Sequence, residues 1–266
     1  MSAPKQFTTS DGVSIAYSDQ GAGPAVLLLH GFGCNRAHWA FQQGALEQAG
    51  YRVLAMDFRF HGDSDSPDFG QRISRLAMDV SDLIEHEQLS DITMVGHSMG
   101  VSVGLAYLSL VGADGLSKFV AIDQSPRIIN DPTWNWGVRG VSWPTMRAQL
   151  DGEVGWGDPG REPVPPASVL EMLDAAGGIV DFQASPLAAL KLDHFVSDWS
   201  DVVPELSVPT WVVTGAHSPS FPLEGMQWFA STAPYGRLTV YADSGHCPHW
   251  NEHSAFNRDL IEFLGS

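Results

Sequence analysis

Only two cysteines, Cys34 and Cys247, stand among the 266 residues, so no disulfide framework organises the chain. Basic residues are few: 14 lysines and arginines face 31 aspartates and glutamates, a net charge of −17. Phosphate binding needs a basic face, which argues against nucleic acid as a partner. An anionic membrane surface is disfavoured for the same reason, and the acidic excess otherwise serves solubility. No apolar run approaches the ~20 residues of a membrane-spanning helix, and the opening MSAPKQF has no secretory apolar stretch. A cytoplasmic location is the expectation. The ten histidines are scattered without H-E-x-x-H or comparable spacing. No glycine-rich dinucleotide signature follows a strand. The sequence therefore supports neither a metal nor a cofactor, and it leaves oligomeric state open.

What is present reads as one large α/β unit. Hydrophobic residues make up 44% of the chain, enough for a sizeable core. PAVLLLHG (24–31), YRVLAMD (51–57), DITMVGH (91–97), KFVAID (118–123) and PTWVVTG (209–215) are short, nearly continuous apolar runs, the form of strands buried on both faces. VSIAYSD (13–19) alternates as a half-exposed strand does, and RLTVYA (237–242) adds another. Helical segments are expected at 39–50, 73–88, 102–112 and 253–264. Strands alternating with helices imply a mostly parallel sheet covered on both faces. The alternation breaks over 127–187, which hold seven of the 17 prolines and four of the nine tryptophans. That stretch reads as a helical cap inserted into a core formed by 1–126 and 188–266.

Two motifs carry chemistry. VGHSMG (95–100) fits G-x-S-x-G, entered by a strand and left by a helix. Gly96 and Gly100 permit a tight turn that would hold Ser98 strained and exposed, with the helix N-terminus favouring developing negative charge. HGFG (30–33) ends an earlier strand, at the edge where parallel sheets bind ligands. The N–H groups of Phe32 and Met99 are the candidate oxyanion donors, each worth roughly 100- to 1,000-fold in rate.

With these motifs and RFHGDSD (59–65), the chain resembles the α/β-hydrolase superfamily from about residue 7 to 264. Phe60 stands where that family usually has glycine. The resemblance implies an eight-stranded sheet with an inserted helical cap. It also implies a base histidine on the loop after the last strand, where His246 in SGH matches. His249 and His253 on the same stretch read as polar surface or capping residues, and Cys247 as a small packed side chain.

An imidazole base needs a carboxylate on its other nitrogen. The family most often supplies it in the turn after the seventh strand, and here that turn carries Ser218. Asp123, ending KFVAID, is the preferred substitute, because some superfamily members place the acid at that neighbouring strand end. Glu224 and Asp243 are the rivals. Trp134, Trp136, Trp143 and Trp156 in the cap are candidates for lining a hydrophobic pocket. Arg127 and Arg139 either tie the cap down or meet a substrate carboxylate.

The expected activity is a serine hydrolase opening an ester or lactone of a small molecule, with Ser98, His246 and Asp123 as its triad. Serine at 98 argues against dehalogenase and epoxide hydrolase chemistry, which use aspartate there. Two alternatives stay open: cofactor-free oxygenation of a heteroaromatic substrate on the same fold, and a non-catalytic ligand receptor.

Overall fold

The computed structural model describes residues 4–153, 157–158, 161, 163, 167–175 and 187–266. Apolar residues of its central strands are committed alternately to opposite faces. In β3 (Ala25–Leu29), Leu27 and Leu29 enter one buried cluster while Val26 and Leu28 enter another, as the pleat requires. Each such fully buried side chain is worth roughly 1.5–3 kcal/mol relative to exposure. The sheet has eight strands in the order β1-β2-β4-β3-β5-β6-β7-β8. The others are β1 (Lys5–Thr8), β2 (Ser14–Gln20), β4 (Arg52–Met56), β5 (Ile92–His97), β6 (Leu116–Ile122), β7 (Thr210–Gly215) and β8 (Gly236–Tyr241). β2 pairs antiparallel with both β1 and β4, and the remaining pairings are parallel. Sequence patterning anticipates every strand except β1, whose four residues bury only Phe7.

Helices cover both faces. α2 (Ile73–His86) buries Ile73, Leu76, Ala77, Val80 and Leu83, a single stripe at helical spacing. α3 (Met99–Leu110) is buried continuously from Met99 to Tyr107 because it lies between the sheet and α2. On the opposite face Leu46 of α1 (Ala40–Gln48) and Phe256, Leu260 and Phe263 of α9 (His253–Gly265) close the second cluster. After β3 the chain winds outward to β4, then returns to lay β5 on the other side of β3. The carboxyl ends of β3 and β5 thus flank the switch point where open α/β sheets bind ligands.

Within 127–187 the described residues include the bridges Asn130↔Ser142 and Asp131↔Trp134, α4 (Met146–Leu150) and α5 (Ala167–Ala175). α6 (Ala188–Val196) packs against α2 and α4. Arg127 and Arg139 are both held by other residues of the fold. Arg127 pairs with Asp131 and, at 3.6 Å, with Asp198, while Arg139 donates to the Phe221 carbonyl at 3.2 Å. Beneath the loop after β4, fully buried Arg59 holds Asp79 through two bonds of 2.6 Å and Asp11 through bonds of 3.0 Å.

Candidate active site

β5 delivers Ser98 to the carboxyl edge of the sheet and α3 departs from it. Ser98 has φ 52° and ψ −122°, a conformation that costs a residue with a side chain about 1–3 kcal/mol. The flanking glycines make that turn possible. A Cβ on Gly96 would lie 2.6 Å from the Gly100 carbonyl, and one on Gly100 would lie 2.2 Å from the Leu29 oxygen. The turn is pinned by Ser98 N–H donating to the Ile122 carbonyl at 3.0 Å.

Asp123 follows β6 and also has positive φ, 45°, which aspartate tolerates better than most residues. Its carboxylate is fully buried and receives three side-chain donors. His246 Nδ1–H reaches Oδ2 at 2.6 Å, Ser218 Oγ–H reaches Oδ2 at 2.7 Å, and Thr214 Oγ1–H reaches Oδ1 at 2.5 Å. Ser218 in turn accepts Phe221 N–H at 3.2 Å. The carboxylate fixes the His246 tautomer with Nδ1 protonated and Nε2 as the remaining ring nitrogen.

Neither rival carboxylate has that placement. Glu224 is exposed in the first turn of α7 (Leu223–Thr232) and lines a different cavity, and Asp243 is exposed with its N–H on Glu252. The His246 loop is fixed from several sides. Ser244 Oγ donates to Glu252 at 2.6 Å, His217 N–H donates to the Ser244 carbonyl at 2.9 Å, and the His246 carbonyl lies 2.9 Å from His97 Nε2.

Ser98 and His246 open on a cavity of about 250 Å³ whose described lining includes Phe32, His97, His194 and Trp250. Among the described residues the tryptophan on this wall is Trp250, from α8 (Pro248–Asn251), and Trp134, Trp136 and Trp143 are placed elsewhere. Trp134 is buried edge-on against Trp136 and Trp228, its indole N–H donating to the Arg127 carbonyl. Trp136 lines a separate cavity with Arg139 and Glu224. Trp143 is 53% exposed, and Trp156 lies outside the described residues. Composition showed where tryptophans concentrate but carried no information on side-chain direction. His194, on α6, also went unnoticed, because a lone histidine among helical residues gives no signal of a cavity.

Histidines shape the loops around the site. His30 Nδ1–H bonds the Gly31 carbonyl at 2.7 Å while Nε2 accepts Phe58 N–H at 3.1 Å. His61 Nδ1–H bonds the Arg59 carbonyl at 3.0 Å while Nε2 accepts Gly33 N–H at 3.1 Å. These neutral tautomers suit their surroundings: burial pulls His30 down to about 4 and His61 to about 3. Burial alone pulls His194 to about 3. Phe60, in the same loop as His61, takes φ 71°, the left-handed conformation that glycine adopts without cost.

His249 departs from the surface or capping position expected of it. It is fully buried, with Nε2 2.8 Å from His38 Nε2, and the His97 ring packs on both. Burial first, then neighbouring histidines, holds all three well below the ordinary histidine range. The sequence scatters these residues, and the fold gathers them. His253 is partly exposed and stacks on Phe41 at 4.4 Å. No helix among the described residues is long and apolar enough to cross a membrane.

A mostly parallel eight-stranded sheet with a strained serine between strand and helix defines an α/β hydrolase. The sequence profile of the alpha/beta hydrolase family matches residues 26–259, and the chain belongs to that family. A non-heme chloroperoxidase of Kitasatospora aureofaciens is 30% identical over 274 residues, covering 97% of this chain and 98% of its own. An esterase from Exiguobacterium antarcticum superposes with a TM-score of 0.87 at 22% identity, covering 99% of this chain and all of its own, a likeness of fold. A thermophilic esterase from Thermogutta terrifontis gives a TM-score of 0.79 at 25% identity, covering 99% of this chain and 98% of its own.

Proposed function

We propose that this protein is a serine hydrolase that cleaves a carboxylic ester or lactone of a small hydrophobic molecule. The observation that carries this reading is the 2.6 Å bond between Asp123 Oδ2 and His246 Nδ1, with His246 and strained Ser98 on one cavity. His246 Nε2 takes the proton of Ser98 Oγ as that oxygen attacks the carbonyl. Asp123 keeps His246 in the required tautomer and stabilises the imidazolium. Phe32 and Met99 N–H groups receive the oxyanion, Met99 standing in the first turn of α3, where amides lack an intrahelical acceptor. His246 then protonates the leaving alcohol and activates water against the acyl-enzyme. A cavity of about 250 Å³ lies below the ~300–1,000 Å³ usual for drug-sized ligands, which favours short acyl and alcohol groups. Turnover of a p-nitrophenyl ester series should fall with chain length and vanish in Ser98→Ala. A folded Ser98→Ala protein that retained wild-type turnover would sink the assignment.

The likeness to a chloroperoxidase supports a second reading at the same serine. Hydrogen peroxide in place of water would cleave the acyl-enzyme to a peracid, regenerating Ser98. The peracid would oxidise halide to hypohalous acid and return to carboxylic acid. Bromide oxidation that requires both acetate and peroxide, and is lost in Ser98→Ala, is the expected signature. Oxidation without acetate would count against this route.

A further inference from the structure

Behind the Ser98 cavity lies a second constellation that ester hydrolysis does not use. His38 follows the loop after β3, His97 precedes the serine on β5, and His249 sits on α8. Each is no more than 2% exposed. Their rings pack with centroids 4.6–4.7 Å apart, and one ring nitrogen from each lies within 4.8 Å of the others. The Nδ1 atom of all three is buried without a hydrogen-bond partner. Buried polar atoms are nearly always satisfied, and each exception asks for an unseen water or ion. With its Nε2 engaged by the His246 carbonyl, His97 has its orphaned Nδ1 left as a ligand atom, whereas His38 and His249 face each other through Nε2 and their Nδ1 atoms ask for buried water.

We propose that His38, His97 and His249 form a three-imidazole site for one divalent transition-metal ion, with Zn²⁺ the best match and Co²⁺ its spectroscopic substitute. Imidazole suits these borderline ions, and three histidines plus one open position is an established zinc arrangement. The spacing is close to what coordination needs. Zinc–nitrogen bonds of 2.0–2.1 Å at tetrahedral angles separate ligand nitrogens by about 3.3 Å. The 2.8 Å between His38 Nε2 and His249 Nε2 and the 4.8 Å limit of the cluster bracket that value. In the metal-free state one Nε2–H is shared between His38 and His249; an ion takes its place, and the donor ring keeps its proton by shifting it to Nδ1.

The His97 Nε2 bond to the His246 carbonyl, 2.9 Å, is the outer-partner contact that orients a metal-binding imidazole. His38 and His97 also line the cavity, giving an ion an entry path. Cys247, with Sγ 3.7 Å from His97 Nε2, and Cys34 share that wall and add thiol character that disfavours hard ions such as Mg²⁺. Because His97 touches the backbone carbonyl of His246, one ligand of the ion would be hydrogen-bonded to the loop that carries the base.

Protein stripped with a chelator and dialysed would be titrated with Zn²⁺ by calorimetry and with Co²⁺ by visible absorption. One Zn²⁺ per chain, a rise in Tm on binding and an intense low-coordinate Co²⁺ band are expected. His38→Gln and His249→Gln should weaken binding roughly 100-fold or more, beyond the 10- to 100-fold typical of losing an outer partner. His217→Ala, at an exposed turn, should bind as the parent does. X-ray absorption of zinc-loaded wild type needs no variant and should count three imidazoles. No stoichiometric binding to wild type, fewer than three imidazoles, or affinity unchanged in folded His38→Gln and His249→Gln would each overturn the proposal, leaving a packed stack of neutral rings.

Discussion

Ser218 donates a hydrogen bond from Oγ to Asp123 Oδ2 across 2.7 Å, onto the same oxygen that accepts His246 Nδ1–H. The two residues meet because β6 and β7 are adjacent and parallel, with Ile122 paired to Val213. A side chain from the end of β6 and one from the turn after β7 therefore converge on one point. The serine that stands in the family's more frequent acid position supports a carboxylate supplied from the neighbouring strand.

That arrangement ranks three substitutions. Asp123→Asn should lower kcat by on the order of 10⁴, as loss of a triad aspartate can. Ser218→Ala removes one hydrogen bond to a charged acceptor, ~1.5–3 kcal/mol at most, and should lower kcat roughly 10- to 100-fold with KM nearly constant. Glu224→Gln should leave kcat within about twofold, as an exposed residue on another cavity. Steady-state kinetics on one p-nitrophenyl ester checks all three, and a reversed order of Asp123 and Glu224 would remove Asp123 from its role.

Acid should unfold this protein early. His30, His61 and His194 are held at about 4, 3 and 3 by burial, against an ordinary value near 6.5 in the unfolded chain. Between those values the unfolded state binds more protons, so stability rises with pH there. The contribution is complete above pH ~6.5 and is lost as pH falls toward the folded values, by about 1.4 kcal/mol per pH unit for each histidine. Tm measured from pH 8 to 4 should be flat at first and then fall steeply below about 6.5. A Tm constant down to pH 4 would contradict the neutral tautomers assigned to these rings.

Asp79→Ala should be among the most damaging changes far from Ser98. It leaves fully buried Arg59 with only Asp11 as a carboxylate partner, and removing one side of a buried pair costs about 3–5 kcal/mol. At roughly 2–4 °C per kcal/mol for a chain of this size, Tm should drop by roughly 6–20 °C. Thermal unfolding by circular dichroism reads this directly, and a loss under about 1 kcal/mol would show the pair to be dispensable.

Two glycines should respond oppositely to alanine. Gly100→Ala drives a Cβ to 2.2 Å from the Leu29 oxygen, so soluble yield or ester turnover should collapse. Gly44→Ala, in α1 with nothing within 4 Å of the added Cβ, should gain about 0.5–1 kcal/mol from helix propensity. Denaturant melts of Gly44→Ala and expression of Gly100→Ala test the pair.

The sheet, its covering helices and the strained turn at Ser98 were legible in the sequence because each is a local property. Alternation in AVLLL assigns successive side chains to opposite faces whatever lies beyond. The spacing of Gly96 and Gly100 around Ser98 encodes a backbone approach that only glycine fits, and the Cβ distances bear this out. What tertiary structure decided are meetings across long separations. Asp123 reaches His246 over 123 positions, a pairing that only the family resemblance suggested, and His38 reaches His249 over 211, which no pattern in the chain suggests. The three histidines of the cluster look scattered until three elements converge, and His249 looks like surface until α8 turns it inward. Trp250 faces the Ser98 cavity, and Trp134, Trp136 and Trp143 do not line it, for the same reason: composition counts rings, but only the backbone's path sets where a side chain points.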